Sequence, residues 1–125
     1  MAAITIDCPG TPGSVRGVRR RVRALMAGSP RAGDLELIAC ELMTNAIRHT
    51  ASGRPGGTFT VTIWCGPQRA RVEVADPGNG PWRCPAGDIF AESGRGLLLV
   101  AALADQAGHE TGPGGRHRSW AEVAW

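Results

Sequence analysis

The chain reads as an α+β protein of two layers, a two-layer sandwich with three helices on one face of a mainly antiparallel sheet. Three observations predict this class. The runs Thr58 to Cys65 and Arg69 to Ala75 alternate apolar and polar residues around a Gly66-Pro67 turn, the pattern of a hairpin with one face buried and one solvated. The pairs Thr11-Pro12 and Ser29-Pro30 each open a segment whose apolar residues recur at helical spacing. The order strand, two helices, two strands, long loop, helix, two strands groups the strands in pairs and contains no internal repeat.

Taken in order, Ala2 to Asp7 forms a short first strand that ends at the Pro9-Gly10 turn. Thr11 is placed as N-cap and Pro12 as the first helical residue. Val15, Val18, Val22 and Leu25 then make an apolar stripe up to Gly28, and Arg16, Arg19, Arg20, Arg21 and Arg23 an arginine-rich outer face. A second helix starts after Ser29-Pro30, buries Leu35, Ile38, Ala39, Leu42 and Ala46, and runs to about Thr50. Ser52-Gly53-Arg54-Pro55-Gly56-Gly57 is expected to be a flexible loop. In the hairpin, Phe59, Val61, Ile63 and Cys65 share the buried face with Ala70, Val72 and Val74. Residues 77–94 hold Pro77, Gly78, Gly80, Pro81, Pro85 and Gly87 with little periodicity, and a loop of this length is expected to be a mobile functional lid. Leu97 to Leu103 makes a third, largely buried helix. Asp105 to Thr111 and Arg118 to Trp125 close the sheet around a turn at Gly112 to Gly115.

Composition narrows the function classes. At 125 residues the chain has room for one domain, 1–125, and a single core. It contains no run near the roughly 18 apolar residues that cross a bilayer, and Met1 to Asp7 lacks the regions of a signal peptide, so a soluble, cytoplasmic protein without a membrane partner is expected. Cys8, Cys40, Cys65 and Cys84 show neither Cys-x-x-Cys nor zinc-type histidine spacing, and read as small buried hydrophobes. All 14 basic residues are arginine, which excludes a P-loop lysine and lysine Schiff-base chemistry. The net charge of +3 comes without a basic face interleaved with aromatics, so direct nucleic-acid binding is not expected.

Three polar stations carry chemistry. Glu41, Asn45 and Arg48 fall at i, i+4 and i+7 on one stripe of the second helix, bordering its apolar face. A sheltered carboxylate there can take a proton from a hydroxyl, and an asparagine oxygen suits a hard cation such as magnesium. The same residues are equally at home on any amphipathic helix. Asp76 follows Val72 and Val74 at period two and so points to the core. It needs a hydrogen-bond partner there, and an exocyclic amino group of adenine would serve. Gly78 and Gly80 allow a ring to approach the backbone, although Asp76-Pro77-Gly78 is also an ordinary turn. Gly94-Arg95-Gly96, with Leu97, precedes an apolar helix whose free N–H groups and positive dipole end suit a phosphate.

In this order the three stations resemble the motifs of the Bergerat-fold (GHKL) ATP-binding family, and within it the small anti-sigma factor serine kinases. Glu41-x-x-x-Asn45-Ala46 with Arg48-His49 is similar to the family's N box, Asp76-x-Gly78-x-Gly80 to its first glycine box, and Gly94-x-Gly96-Leu97 to its second. The resemblance implies ATP and magnesium as cofactors, Glu41 as general base, Asn45 as magnesium ligand and Asp76 as the adenine reader. Arg48 and His49 would lie against the nucleotide, although His49 also suits capping of the helix end. The family places a threonine or serine near the last strand against adenine. Here Arg118 stands where the threonine is expected, with Ser119 beside it.

Two functions follow from the resemblance. One is an anti-sigma factor with protein serine/threonine kinase activity, which binds a sigma factor and phosphorylates an anti-anti-sigma partner of STAS type. The other is an ATP-binding regulatory module that holds a partner without efficient phosphoryl transfer. Glu41 favours the first. None of His49, His109 and His117 sits in a phosphoacceptor-like helix, which argues against a complete sensor histidine kinase. Arg16, Arg19 and Arg20 are the candidate partner contacts, and a homodimer is implied by the resemblance.

Overall fold

In the computed structural model, which describes residues 2–49, 51–76, 94–113 and 116–125, the expected hairpin is the centre of a five-stranded sheet. The strands are β1 (Ala2–Pro9), β2 (Thr58–Cys65), β3 (Arg69–Ala75), β4 (Gln106–Thr111) and β5 (His117–Ala124). They lie in the order β1-β2-β3-β5-β4, and each neighbouring pair is antiparallel. The register sets Ile4, Ile63, Val72 and Ala121 in one row and Ile6, Val61, Val74 and Ser119 in the next on the same face. Val61, Ile63, Val72, Val74, Ala121 and Val123 on that face are all buried, because the helices cover it.

The opposite face is solvated and holds its charges in a ladder. Arg71 packs over the rings of Trp64 and Trp120, at 5.6 and 4.4 Å, and pairs with Glu122 at 3.0 Å and with Glu73 at 3.6 Å. The aromatic faces are electron-rich and hold the guanidinium flat on the sheet.

Among the described residues, three helices form the second layer: α1 (Pro12–Leu25), α2 (Ala32–His49) and α3 (Gly94–Leu103). In α1, Pro12 takes the first position as expected. The side chain of Thr11 makes no capping bond. Ser14 does related work instead, its hydroxyl donating to the Pro9 carbonyl at 2.7 Å. α2 buries the expected stripe of Leu35, Ile38, Ala39, Leu42 and Ala46, together with Met43. It begins at Ala32, after the Ser29 hydroxyl has accepted the Arg31 N–H at 3.1 Å.

A buried carboxylate joins the first two helices. Glu36 is 8% exposed and accepts from Arg23 at 2.7 Å and from Arg19 at 3.1 Å. The two guanidinium groups, Arg23 first, hold its carboxyl below the usual glutamate value.

Three expectations need correction. The segment after α2 is not uniformly a flexible loop: Ala51–Gly53 forms a short 3-10 turn, and Ser52 is buried. The third helix is not largely buried. Val100 is covered, but Leu98 is 68% exposed; among the described elements, α3 packs against α2 and β4. Gly94, Arg95 and Gly96 form the first turn of α3 instead of preceding it. Of the cysteines, Cys8 is buried while Cys40 and Cys65 are half-buried; Cys84 lies outside the described residues. Among the described residues no cluster of metal-ligating side chains occurs, and no helix is long and apolar enough to cross a membrane.

Candidate functional site

α2 places the first station. With the buried stripe facing the sheet, the Glu36 side of the helix turns to α1, through Arg19 and Arg23. Glu41, Asn45 and Arg48 lie on the opposite flank at 100° per residue. Glu41 and Asn45 are half-buried and Arg48 is exposed. α3 is the other helix packed on α2.

Arg31, just before α2, sets the direction of α3. Its guanidinium pairs with Asp34 at 2.8 Å and Asp105 at 3.2 Å, and donates to the carbonyls of Leu103 and Ala124. The start of α2 therefore meets the end of α3, and the two helices pack against each other. The side chains of His49, Arg95 and Leu97 are outside the described residues.

The second station lies at the same end of the molecule. Asp76 follows β3 on the helix-covered face and is 4% exposed, as its period-two relation to Val72 and Val74 predicts. Its backbone N–H donates to the His117 carbonyl at 2.8 Å. The turn after α2 leads to this end too, since Gly10 donates to Gly57 at 2.9 Å and Thr60 then pairs with Ala75, next to Asp76. Gly78 and Gly80, with the expected lid, lie outside the described residues.

The last strand answers the question raised by Arg118. That residue pairs in register with Ala75 and points to the solvated face, where it meets Glu73 and Glu110, both at 3.4 Å. The residues of β5 nearest Asp76 on its face are His117, directly beside it, and Ser119, opposite Val74. His117 was not among the candidates from sequence. The signal was available: Trp120 and Glu122 belong with the polar face of the hairpin, so strict alternation assigns His117 and Ser119 to the inner face. The ring of His109 on β4 lies 5.5 Å from that of His117. Burial, followed by repulsion from His109, lowers the His117 pKa from its ordinary 6.5, while Asp76 opposes the shift.

A cavity of about 470 Å³ opens at this end of the sheet, bounded by Thr60, Glu73, Glu110 and Arg118, with Asp76 and His117 in its wall. Among the described residues, none of α2 lines it.

The expected partner contacts divide. Arg16 and Arg20 are exposed, whereas Arg19 spends its charge on Glu36.

The chain is similar to two solved structures. One is the RsbU and RsbW domains of Rv1364c from Mycobacterium tuberculosis, with a TM-score of 0.72 at 20% identity over 99% of this chain; the match spans only 32% of that longer chain. The other is the SiaB–SiaC complex from Pseudomonas aeruginosa, with a TM-score of 0.68 at 17% identity, covering 96% of this chain and 88% of that one. At such identities the likeness concerns the fold, which agrees with the two-layer arrangement found here. No curated protein sequence matches the chain. The family model for the histidine kinase-like ATPase domain matches residues 8–117, from β1 through the start of β5 and across all three stations. An ATPase domain of this kind binds ATP, and the chain belongs to the histidine kinase-like ATPase domain family.

Proposed function

We propose that this protein is an ATP-dependent anti-sigma factor that phosphorylates a serine or threonine on a STAS-type anti-anti-sigma partner and so regulates sigma-factor-dependent transcription. The observation that supports this reading is the burial of the Asp76 carboxylate at the end of β3, with Glu41 and Asn45 half-buried on one flank of α2 and α3 packed against that helix. The donor set fits a magnesium nucleotide: a core-facing acceptor for the adenine amino group, an amide oxygen for the cation, and helix N–H groups for phosphate. Bound ATP and magnesium supply the phosphoryl group and neutralise its charge.

Each residue has a separate task. Glu41 accepts the proton of the incoming serine hydroxyl. Asn45 would hold the cation, and Arg48, exposed at the end of the same flank, adds positive charge where phosphate oxygens arrive. Asp76 orients the base. The backbone N–H groups of the first turn of α3, at Gly94 to Gly96, receive the phosphates, while Arg95 and His49 are the further charged and polar groups of these motifs. Similarity to structures whose names include RsbW and SiaB–SiaC supports a protein partner of this regulatory kind.

The test is incubation of the purified protein with labelled ATP, magnesium and a co-encoded anti-anti-sigma protein. Serine labelling that disappears in Glu41→Ala while nucleotide binding persists supports the kinase. Tight ATP binding by the wild type with no labelling of any such partner would make it a binding module instead.

A further inference from the structure

We propose that Glu36 is an internal competitor for an acidic segment of a partner protein, engaging two of the four arginines that α1 offers to that segment and so setting the affinity of the surface. The inference rests on the reading of α1 as the partner-facing helix and adds to it the carboxylate that governs it.

The surface comes from helical spacing. Arg16, Arg19, Arg20 and Arg23 fall at i, i+3, i+4 and i+7 of α1 and so share one stripe, about 10 Å long. All four are exposed, and α1 from Pro12 to Leu25 contains no acidic residue. Among the described residues, Arg16 and Arg20 form no ion pair, whereas Arg19 and Arg23 share Glu36. A row of protein carboxylates fits such a stripe, because each guanidinium takes a carboxylate through two parallel N–H bonds. Nucleic acid fits it less well, since the stripe spans only two helical turns and carries no aromatic side chain between its arginines.

Glu36 already fills part of this surface. Arg19 reaches its Oε1 through Nε and Nη2, both at 3.1 Å. Arg23 donates from Nε to Oε2 at 3.2 Å and from Nη2 to Oε1 at 2.7 Å. The Nε–Nη2 edge is one of the forks that match a carboxylate, and in both arginines it is taken. The side chains of Arg19 and Arg23 keep 44% and 69% of their exposure, against 10% for Glu36. A partner can therefore reach the arginines but not the acid. The bonds from Arg23 and Arg19 hold the Glu36 carboxyl below the usual glutamate value, so it is charged at neutral pH. A partner that takes the occupied forks leaves this charge buried and uncompensated. A partner that leaves them in place binds against the field of the carboxylate. On either route Glu36 weakens the docking of an anionic segment.

The experiment is equilibrium binding of a short polyglutamate peptide by the full chain at neutral pH and two salt concentrations. It compares the wild type with Glu36→Gln, with Glu36→Met, and with Arg16→Gln, Arg20→Gln combined. Thermal unfolding checks that each is folded at the temperature of the assay. Both Glu36 variants remove the charge at similar volume, and each should bind the peptide about three- to tenfold more tightly than the wild type, a gain that shrinks at higher salt. The arginine double variant should bind at least about fivefold more weakly. If the folded Glu36 variants bind the peptide no more tightly than the wild type, the inference is overturned and α1 can still be the partner surface. If the arginine double variant binds as the wild type does, the reading of α1 fails and this inference with it. Tighter binding of duplex DNA than of the peptide by Glu36→Gln would overturn the class of partner. The assay contains no ATP, so its outcome is separate from that of the labelling experiment.

Discussion

Arg31 and Asp105 form an ion pair of 3.2 Å between residues 74 positions apart in the chain. The bond ties the end of α3 to the start of α2, since the same guanidinium also reaches the last carbonyl of α3 and one near the end of β5. A substitution here, remote from the proposed chemistry, should be felt at the nucleotide. Arg31→Ala should cost about 2–4 kcal/mol in urea unfolding, because several charge-assisted hydrogen bonds are lost at once. Arg31→Lys should recover only part of this, since an ammonium cannot bridge four acceptors as a fork does. ATP affinity should fall with stability in the same order.

Gly10 touches the turn that follows α2. A Cβ at Gly10 would lie 1.6 Å from the Ser52 carbonyl oxygen, a backbone atom that cannot swing away. Gly10→Ala should therefore destabilise by about 2 kcal/mol or more through overpacking. Gly17, within α1, has open space around its Cβ position. Gly17→Ala should instead stabilise by about 0.5–1 kcal/mol, by helix propensity alone. Opposite shifts of the two thermal midpoints check both claims in one experiment.

These residues also mark what could be read from the sequence and what could not. The period of two in Val72, Val74 and Asp76 placed the carboxylate on the covered face, because a strand has only two faces and the apolar residues declare one of them. The helical stripe of Leu35, Ile38 and Leu42 likewise placed Glu41 and Asn45 on its border. Contacts across long separations had no such signature. Nothing near Arg31 in the chain announces Asp105, and Ser52, in a run of glycines and a proline, is buried with Gly10 packed against its carbonyl. The inward position of His117 depends on the pairing register of β5, which one residue of slip would invert. Leu98 follows the same logic: its apolar character is plain, but its 68% exposure depends on tertiary packing that no local pattern encodes.

The arginines of α1 separate into structural and available sets. Arg19 is bound to Glu36, whereas Arg16 and Arg20 are exposed. The double variant Arg16→Glu, Arg20→Glu should leave the thermal midpoint within a degree or two and weaken binding to an acidic protein partner, with the loss reduced at high salt. Arg19→Glu should lower the midpoint as well, because it places a second carboxylate against a buried one. Calorimetric unfolding and partner pull-down on the same samples distinguish the two effects.

Acid should destabilise the fold in two stages. His117 has its folded pKa lowered from 6.5, by burial first and His109 second. Between that lowered value and 6.5 the unfolded chain binds the proton more readily than the folded one, so stability falls as pH drops below 6.5 and levels off below the folded value. Glu36 has its folded pKa lowered from 4.5, by its bonds to Arg23 first. Its contribution is fully present above 4.5 and is lost as pH falls through the folded value. Glu36→Gln should abolish the lower stage, at a cost of about 1–2 kcal/mol at pH 7, near the low end for charge-assisted bonds because both guanidinium groups reach water. His117→Gln should abolish the upper stage and leave the lower one in place. Urea unfolding from pH 4 to pH 8 resolves the two. If a single transition persists in His117→Gln with the wild-type profile above pH 5, the upper stage belongs to another group.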